Sequence, residues 1–257
     1  MFRIDNPGVT IVTHYERKNI IMKYVKFLFM TLFLFYMCVF TVYGAEIKSE
    51  KFTYKSSDGK LSIKITYPQI TGLSDKKIEN DLNKYFKKGF LTGYEDLYGR
   101  SVNFLEKKDL EFCHKDLIEN FGPEFKNTIE VEYTVGVNKH DILSINYSGL
   151  GMLTPSAHPS KLLKTFTVNL KNGKIYKFKD LFKEKSNYMG VIKSILEKRK
   201  SYIEIQKEGY DFYLTSDSLV LVNINTAYVS QGVEETIKFK EIKDIVNEKG
   251  PAGILMK

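Results

Sequence analysis

Two stretches early in the chain alternate apolar and polar side chains with a period of two. Ile47, Phe52 and Tyr54 are spaced as on a strand within Glu46–Lys55, and Leu61, Ile63, Ile65 and Tyr67 alternate cleanly after it. The turn signal Ser57-Asp58-Gly59-Lys60 joins them, which predicts a hairpin ended by Pro68. The period then becomes helical. Ile78, Leu82, Tyr85 and Phe86 fall on one face of a helix that opens at Leu73-Ser74-Asp75, with Ser74 able to cap it and Asp75 suited to the positive end of its dipole. Between Phe90 and Phe121 the apolar positions predict one or two short helices, stopped by Gly122-Pro123.

Strand periodicity returns over Thr128–Val137, with Ile129, Val131, Tyr133 and Val135 on one face, and again over Ile142–Tyr147 after the turn Asn138-Lys139-His140-Asp141. The Gly-, Ser- and Pro-rich stretch Ser148–Pro159 reads as a loop joining two halves. Beyond it, Phe166, Val168 and Leu170 alternate, Asn172-Gly173 signals a hairpin, and Ile175, Tyr176 and Phe178 form the return strand. Asp180 caps a turn carrying Leu181 and Phe182, and a helix is expected over Tyr188–Lys198. Phe212–Leu214, Leu219–Ile224 and Ile237–Phe239 read as strands, and Glu241–Glu248 as a terminal helix ended by Gly250-Pro251. Each half thus reads hairpin, helix, hairpin. The expected class is α+β, with mostly antiparallel sheets and packed helices. The expected division is 45–150 and 151–250, with a tail at 251–257.

The longest apolar run precedes all of this. Phe27–Val42 is 16 residues without a charge, flanked by Lys23 and Lys26 and followed by Val42-Tyr43-Gly44 before Ala45. A basic flank, an apolar centre and a small-residue end make a secretory signal over 22–44, cleaved before Ala45. A spanning helix needs about 20 apolar residues, and the competing reading is an uncleaved anchor. Met22 is the expected start, which makes 1–21 a non-native upstream extension; the alternative is a short tail. Cys38 follows Tyr36-Met37 rather than a small residue, which argues against lipidation. The rest of the chain is therefore expected outside the cytosol, secreted or anchored to the outer face of the cytoplasmic membrane.

Composition adds little to that address. Residues 45–257 hold 34 basic and 29 acidic residues and one cysteine, Cys113, so packing and not an internal disulfide must hold this part together. The excess of Lys, Ile, Asn, Tyr and Phe fits codon bias in an AT-rich genome. An exported basic surface could meet anionic wall polymers, whereas nucleic acid is a poor partner for it.

A set of short motifs resembles known domains. Tyr67-Pro68-Gln69-Ile70-Thr71-Gly72-Leu73, followed by the Ile78/Leu82 helix, resembles the domain of unknown function at the front of the peptidoglycan deacetylase PdaC. Ala157-His158-Pro159, Lys164–Leu170, Asn172-Gly173-Lys174, Lys179-Asp180-Leu181-Phe182, Phe212-Tyr213-Leu214 and Asn225–Tyr228 resemble the partner domain at the end of the RsiV anti-sigma factor. The resemblance spans most of 50–247. In RsiV the extracellular part recognises lysozyme, and in PdaC the corresponding region is a wall-associated accessory module. The resemblance therefore implies an extracytoplasmic recognition module. This sequence has neither the deacetylase's metal motif nor enough residues before the apolar run for a cytoplasmic sigma-binding domain, so neither of those activities carries over.

Candidate chemistry is sparse. His158, Pro159 and Tyr228 are the candidate ligand contacts, His158 because it stands in a loop at the joint of the halves. A hydrogen-bonded loop anchor is the commoner role for such a histidine. Glu111 and His114 have the i, i+3 spacing of a helical metal motif, but such sites use two such pairs and a solvated helix face is the expectation. Cys113-His114 are adjacent and would diverge on a helix, so a nucleophile–base pair is not expected. Lys84–Lys88 and Lys183–Lys200 are basic helical segments, read as solvated faces that could also dock an anionic polymer. HExxH, GxSxG, Walker-type and paired-cysteine metal motifs are absent. The expectation is no catalytic residue, no cofactor and no metal. The leading function is an exported, non-catalytic recognition module binding a lysozyme-like protein or a wall polymer such as peptidoglycan; the alternative is an exported hydrolase acting on wall material through His158 and nearby carboxylates.

Overall fold

The computed structural model describes residues 45–95, 101–155, 159–203, 209–223 and 233–257. The apolar run, the residues before it, His158 and Tyr228 lie outside them. Gly44–Lys257 forms one compact unit.

The first hairpin is β1 (Glu46–Lys55) and β2 (Leu61–Thr71), paired antiparallel from Glu46↔Thr71 to Lys55↔Ser62. Gly59 takes the positive φ that the connecting turn requires. Pro68 does not end β2. The parallel pairing of β2 with β5 (Lys126–Lys139) stops at Ile65↔Val131, so beyond it β2 has a neighbour on one side only, and there a strand tolerates a residue without an N–H. Asn83 covers part of that open edge: its Oδ1 accepts from Ile70 N at 2.7 Å and its Nδ2 donates to Ile70 O at 2.9 Å.

Asn83 belongs to α1 (Lys76–Leu91), whose N-cap is Asp75, accepting from Lys77 N and Ile78 N. Leu82, Phe86, Phe90 and Leu91 bury one face of α1 against Leu61, Ile63, Ile65, Val131, Leu143, Ile145, Tyr147 and Phe166. Phe90 anchors this core, edge-on to Tyr147 at 4.5 Å and stacked on Phe166 at 5.2 Å. Burying each such side chain contributes about 1.5–3 kcal/mol. Lys164 closes the helix end, donating to the carbonyls of Gly89 and Thr92, where a cation suits the negative end of the dipole.

The first part of residues 90–121 differs from the expectation, while a helix stopped at Gly122 forms in the second. Phe90 and Leu91 complete α1, then β3 (Thr92–Glu95) pairs with β4 (Ser101–Asn103), and α2 (Lys107–Phe121) follows. Val102 and Phe104 are buried in the first core, one on the short strand and one just after it. A three-residue strand is too short for its period to be read.

The stretch read as a joining loop is mostly strand. β6 runs over Ile142–Thr154 and pairs with β7 (Ser160–Asn169) from Ile142↔Asn169 to Gly151↔Ser160. Its glycines belong to the strand: a Cβ on Gly149 would overlap the Glu130 carbonyl oxygen of β5. The large sheet thus has the order β1-β2-β5-β6-β7, and the expected division at 150/151 falls within β6.

The rest of the chain builds a second core. Asn172-Gly173 makes the expected turn, with Gly173 at positive φ, but the return strand is reduced to one bridge, Val168↔Ile175. A 3-10 turn over Phe178–Leu181, closed by Asp180 accepting from Lys177 N, leads to α3 (Tyr188–Arg199). A small antiparallel sheet follows, in the order β10 (Val233–Lys238), β9 (Ser218–Asn223), β8 (Asp211–Leu214). The expected terminal helix is a single turn, Phe239–Ile242, and Pro251 opens a further short helix instead of ending one, its missing N–H costing nothing at the first helical position. Phe178, Leu181, Ile192, Leu196, Phe212, Leu214, Leu221, Ile237 and Phe239 pack together, with Val137 and Ile142 from the β5–β6 turn. The class is α+β with mostly antiparallel pairing, as expected.

Candidate functional site

The two sheets meet edge to face. β8 pairs with β9 along one edge only, which leaves the N–H groups of Phe212 and Leu214 without sheet partners. Hydroxyls on the face of the large sheet take them: Thr165 Oγ1 accepts from Phe212 N at 3.1 Å, and Ser144 Oγ accepts from Leu214 N at 2.8 Å. Ser144 and Thr167 hydroxyls bond each other at 2.7 Å beneath the strand. Gly136 sits at a bulge in β5 and admits the Leu214 carbonyl where any Cβ would collide with it.

This contact orients the small sheet. Its apolar face, with Phe212, Leu214, Leu221 and Ile237, packs toward Val137 and Ile142. The opposite face carries Asp211, Tyr213, Val222 and Glu234, because Asp211↔Val222 and Val222↔Glu234 are cross-strand pairs. That face looks along the side of the large sheet that α1 leaves uncovered. Exposed there are Lys64, Glu130, Glu132, Thr134, Ser148, Leu150 and Met152. The result is a cleft with the large sheet as floor and the small sheet as wall.

Asn146 lies where floor and wall join. It is 6 % exposed, and its Nδ2 donates to Glu234 Oε1 at 3.1 Å. The Tyr213 hydroxyl donates to Glu234 Oε2 at 3.1 Å. Burial and then the Glu234 charge push the Tyr213 phenol up to about 12. Burial also raises the Asp211 carboxyl above its ordinary value. The Asn146 Oδ1 atom is buried and has no hydrogen-bond partner.

The residues singled out from the sequence are placed elsewhere or lie outside the described residues. Pro159 is half-buried at the start of β7, while His158 and Tyr228 are not among the described residues. His114 does not join Glu111. Its Nε2 bonds Asp58 at 2.9 and 3.0 Å in the β1–β2 turn, while Glu111 pairs with Lys107 at 3.2 Å. Asp58 also accepts from Ser56 Oγ at 2.6 Å and Lys60 N at 3.1 Å, and these bonds hold its carboxyl well below the usual range. Ser56, Asp58 and His114 are the residue types of a hydrolytic triad, but the serine bonds the carboxylate instead of the imidazole, so no base faces a nucleophile. Cys113 is half-buried against the first core. Among the described residues no three acidic, imidazole or thiol groups lie close enough to hold a metal ion. Lys84, Lys87 and Lys88 are exposed on α1. In the second basic segment Arg199 is committed to Glu235, Glu241 and the Thr236 carbonyl.

The fold and cleft define an α+β unit in which a small sheet stands on the open face of a larger one. Residues 54–161 match the family model described as deacetylase PdaC. Two solved structures share the fold. A DUF3298-family protein of Bacteroides fragilis is 16 % identical, with a TM-score of 0.57 over 82 % of this chain and 98 % of that one. A DUF3298-family protein of Pseudomonas aeruginosa is 12 % identical, with a TM-score of 0.50 over 79 % and 94 %. Among curated proteins none matches. The chain therefore carries a PdaC-like region and shares the fold of two DUF3298-family proteins. These findings do not extend to RsiV.

Proposed function

We propose that the chain is an exported, non-catalytic recognition module of the cell envelope, binding a lysozyme-like protein or a wall polymer in the cleft between the two sheets. The uncovered floor carries this reading. Antiparallel sheets commonly leave one face to water, but here Leu150 and Met152 are 48 % and 43 % exposed beside charged and hydroxyl groups, on the strand whose Asn146 bonds the small sheet. Pro159 adjoins the Gly151↔Ser160 end of this floor, and Asn223 adjoins Val222 on the wall. His158 and Tyr228 lie outside the described residues and remain candidate contacts. The export address rests on the Phe27–Val42 run. Retention of the immobilised full chain's partner from wall material or from lysozyme tests the proposal. Retention reduced by Leu150→Ser with Met152→Ser is expected; no retention above that on an unrelated protein of equal charge would end it.

One observation favours the hydrolase reading: Asp211, its carboxyl raised by partial desolvation, shares the outward face of the small sheet with Glu234. Glu234, the carboxylate across Val222, already has one donor on each oxygen. The hydrolase reading requires soluble fragments released from wall material by the full chain and none by Asp211→Asn.

A further inference from the structure

We infer that β1 is a self-association edge, at which a second copy of the chain pairs its own β1 antiparallel, centred on Ser49. The inference goes beyond the recognition reading and does not depend on it. β1 stands at one end of the large sheet, with β2 as its neighbour. Hydrogen bonds fix which of its backbone groups face outward. Ser56 N donates to Leu61 O at 2.9 Å, so the hydrogen-bonded pairs of the hairpin follow from there at every second position: Tyr54 with Ile63, Phe52 with Ile65, Glu50 with Tyr67, Lys48 with Gln69. Asn127 N on β5 donates to Lys60 O at 2.8 Å, and Asn83 takes both backbone groups of Ile70, so the even positions of β2 face away from β1. Pro68, opposite Ser49, fits this alternation because its pair needs no N–H. The N–H and C=O groups of Ile47, Ser49, Lys51 and Thr53 therefore point away from β2, and among the described residues no strand pairs with them.

An open edge accepts another strand, and its charged side chains decide which one. Residues directly opposite in an antiparallel pair turn their backbone groups the same way, so two β1 strands pair only in registers centred on a single residue. Centred on Lys48, Glu50 or Lys51, the pairing sets like charges face to face on the axis. Centred on Ile47 the strands barely overlap, and centred on Phe52 they oppose no ion pair. Centred on Ser49, Lys48 of each copy stands opposite Glu50 of the other, with Ile47 opposite Lys51 and Glu46 opposite Phe52. Each of the Lys48 and Glu50 charges then has an opposite one along the strand and across it. These pairs occupy non-hydrogen-bonded positions, where facing side chains stand closest. Lys48 and Glu50 are exposed and uncommitted: Lys48 reaches Glu46 of its own strand only at 3.7 Å, and Glu50 is in no ion pair among the described residues. The other face of this half of β1 is already held. Ile47 packs on the first core and Ser49 Oγ bonds the Tyr133 hydroxyl at 2.9 Å, which leaves Lys48 and Glu50 on the solvent side.

The test follows self-association of the full chain by sedimentation over a concentration series. The native chain should form a reversible dimer. Lys48→Glu and Glu50→Lys, which each oppose like charges, should weaken it by about tenfold, the effect of cross-strand pairs turned repulsive. The double variant, Lys48→Glu with Glu50→Lys, re-forms both pairs with the signs exchanged and should recover to within about threefold of the native chain. A second measurement reads the register. Ser49→Cys, in a chain also carrying Cys38→Ser and Cys113→Ser, sets the thiols opposite each other with Cα atoms about 5.5 Å apart, and should cross-link under mild oxidation. Thr53→Cys in the same background lies about 27 Å from its own copy and should not. The substituted β1 side chains are all exposed, and recovery in the double variant separates loss of pairing from loss of fold. A native chain that stays monomeric throughout, a double variant no tighter than the single ones, or equal cross-linking at the two cysteine positions would each overturn the inference.

Discussion

Ser144 shows how much rests on single polar side chains at the sheet junction. Its hydroxyl is fully buried, accepts from Leu214 N and bonds the Thr167 hydroxyl. Ser144→Ala leaves a buried N–H without an acceptor, a loss of about 1–3 kcal/mol. Urea unfolding should show that loss, and Thr167→Ala should lose less because it leaves the Leu214 bond in place. The same site explains why the cleft was not legible beforehand. The period-two pattern placed Ile142–Tyr147 on a strand, but a serine and an asparagine among apolar residues carried no sign of what they met. Asn146 and Glu234 are 88 positions apart, and no spacing rule links them. Cys113, His114 and His158 are conspicuous by type alone, and His114 is spent on a turn carboxylate. An asparagine between Ile145 and Tyr147 in a strand is the one available signal, and it does not name Glu234.

At the scale of elements, the pattern was readable wherever packing obeyed one period. β2, α1, α3 and the first part of β6 follow the alternation or helical face that their core contacts demand. It failed where a local rule was suspended by the neighbours. Pro68 stays in β2 because β5 has already stopped pairing, Gly149 stays in β6 because β5 passes too close for a side chain, and Val102 hides in a strand of three residues. The helix boundary was off by one: Asp75, and not Ser74, accepts the first N–H groups of α1. That assignment is checkable. Asp75→Ala should cost about 1 kcal/mol in thermal or urea unfolding, the usual value for a lost cap, whereas Ser74→Ala should stay within about 0.5 kcal/mol.

For the whole molecule, ionisable groups at distant joints set the pH range over which the two cores hold. At the acid end, Asp58 ties the β1–β2 turn to α2, and Asp217 ties the β8–β9 turn to β10 through Lys238 at 2.8 Å. The Lys238 bond and then the Ser218 hydroxyl lower Asp217 from 3.8 to about 2. A carboxylate held low in the folded state contributes stability that is complete above its unfolded value and lost as pH falls through the folded one. The Asp217 contribution should therefore disappear between about pH 4 and about pH 2, and Asp217→Asn should flatten that limb of an acid denaturation curve. At the alkaline end the sign reverses. Tyr213 is raised from 10.0 to about 12, so its protonated form is the one the fold prefers. Its contribution is complete below pH 10 and is lost as pH rises from about 10 through about 12. Tyr213→Phe removes that loss together with the donor to Glu234, so it should start less stable at neutral pH and decline less steeply above pH 10. Tyrosinate absorbance of the folded chain should then lack one late-titrating group, with its midpoint near 12. An unchanged late phase would mean that the phenol is not held at the wall of the cleft, and with it would go the geometry that joins Tyr213, Glu234 and Asn146.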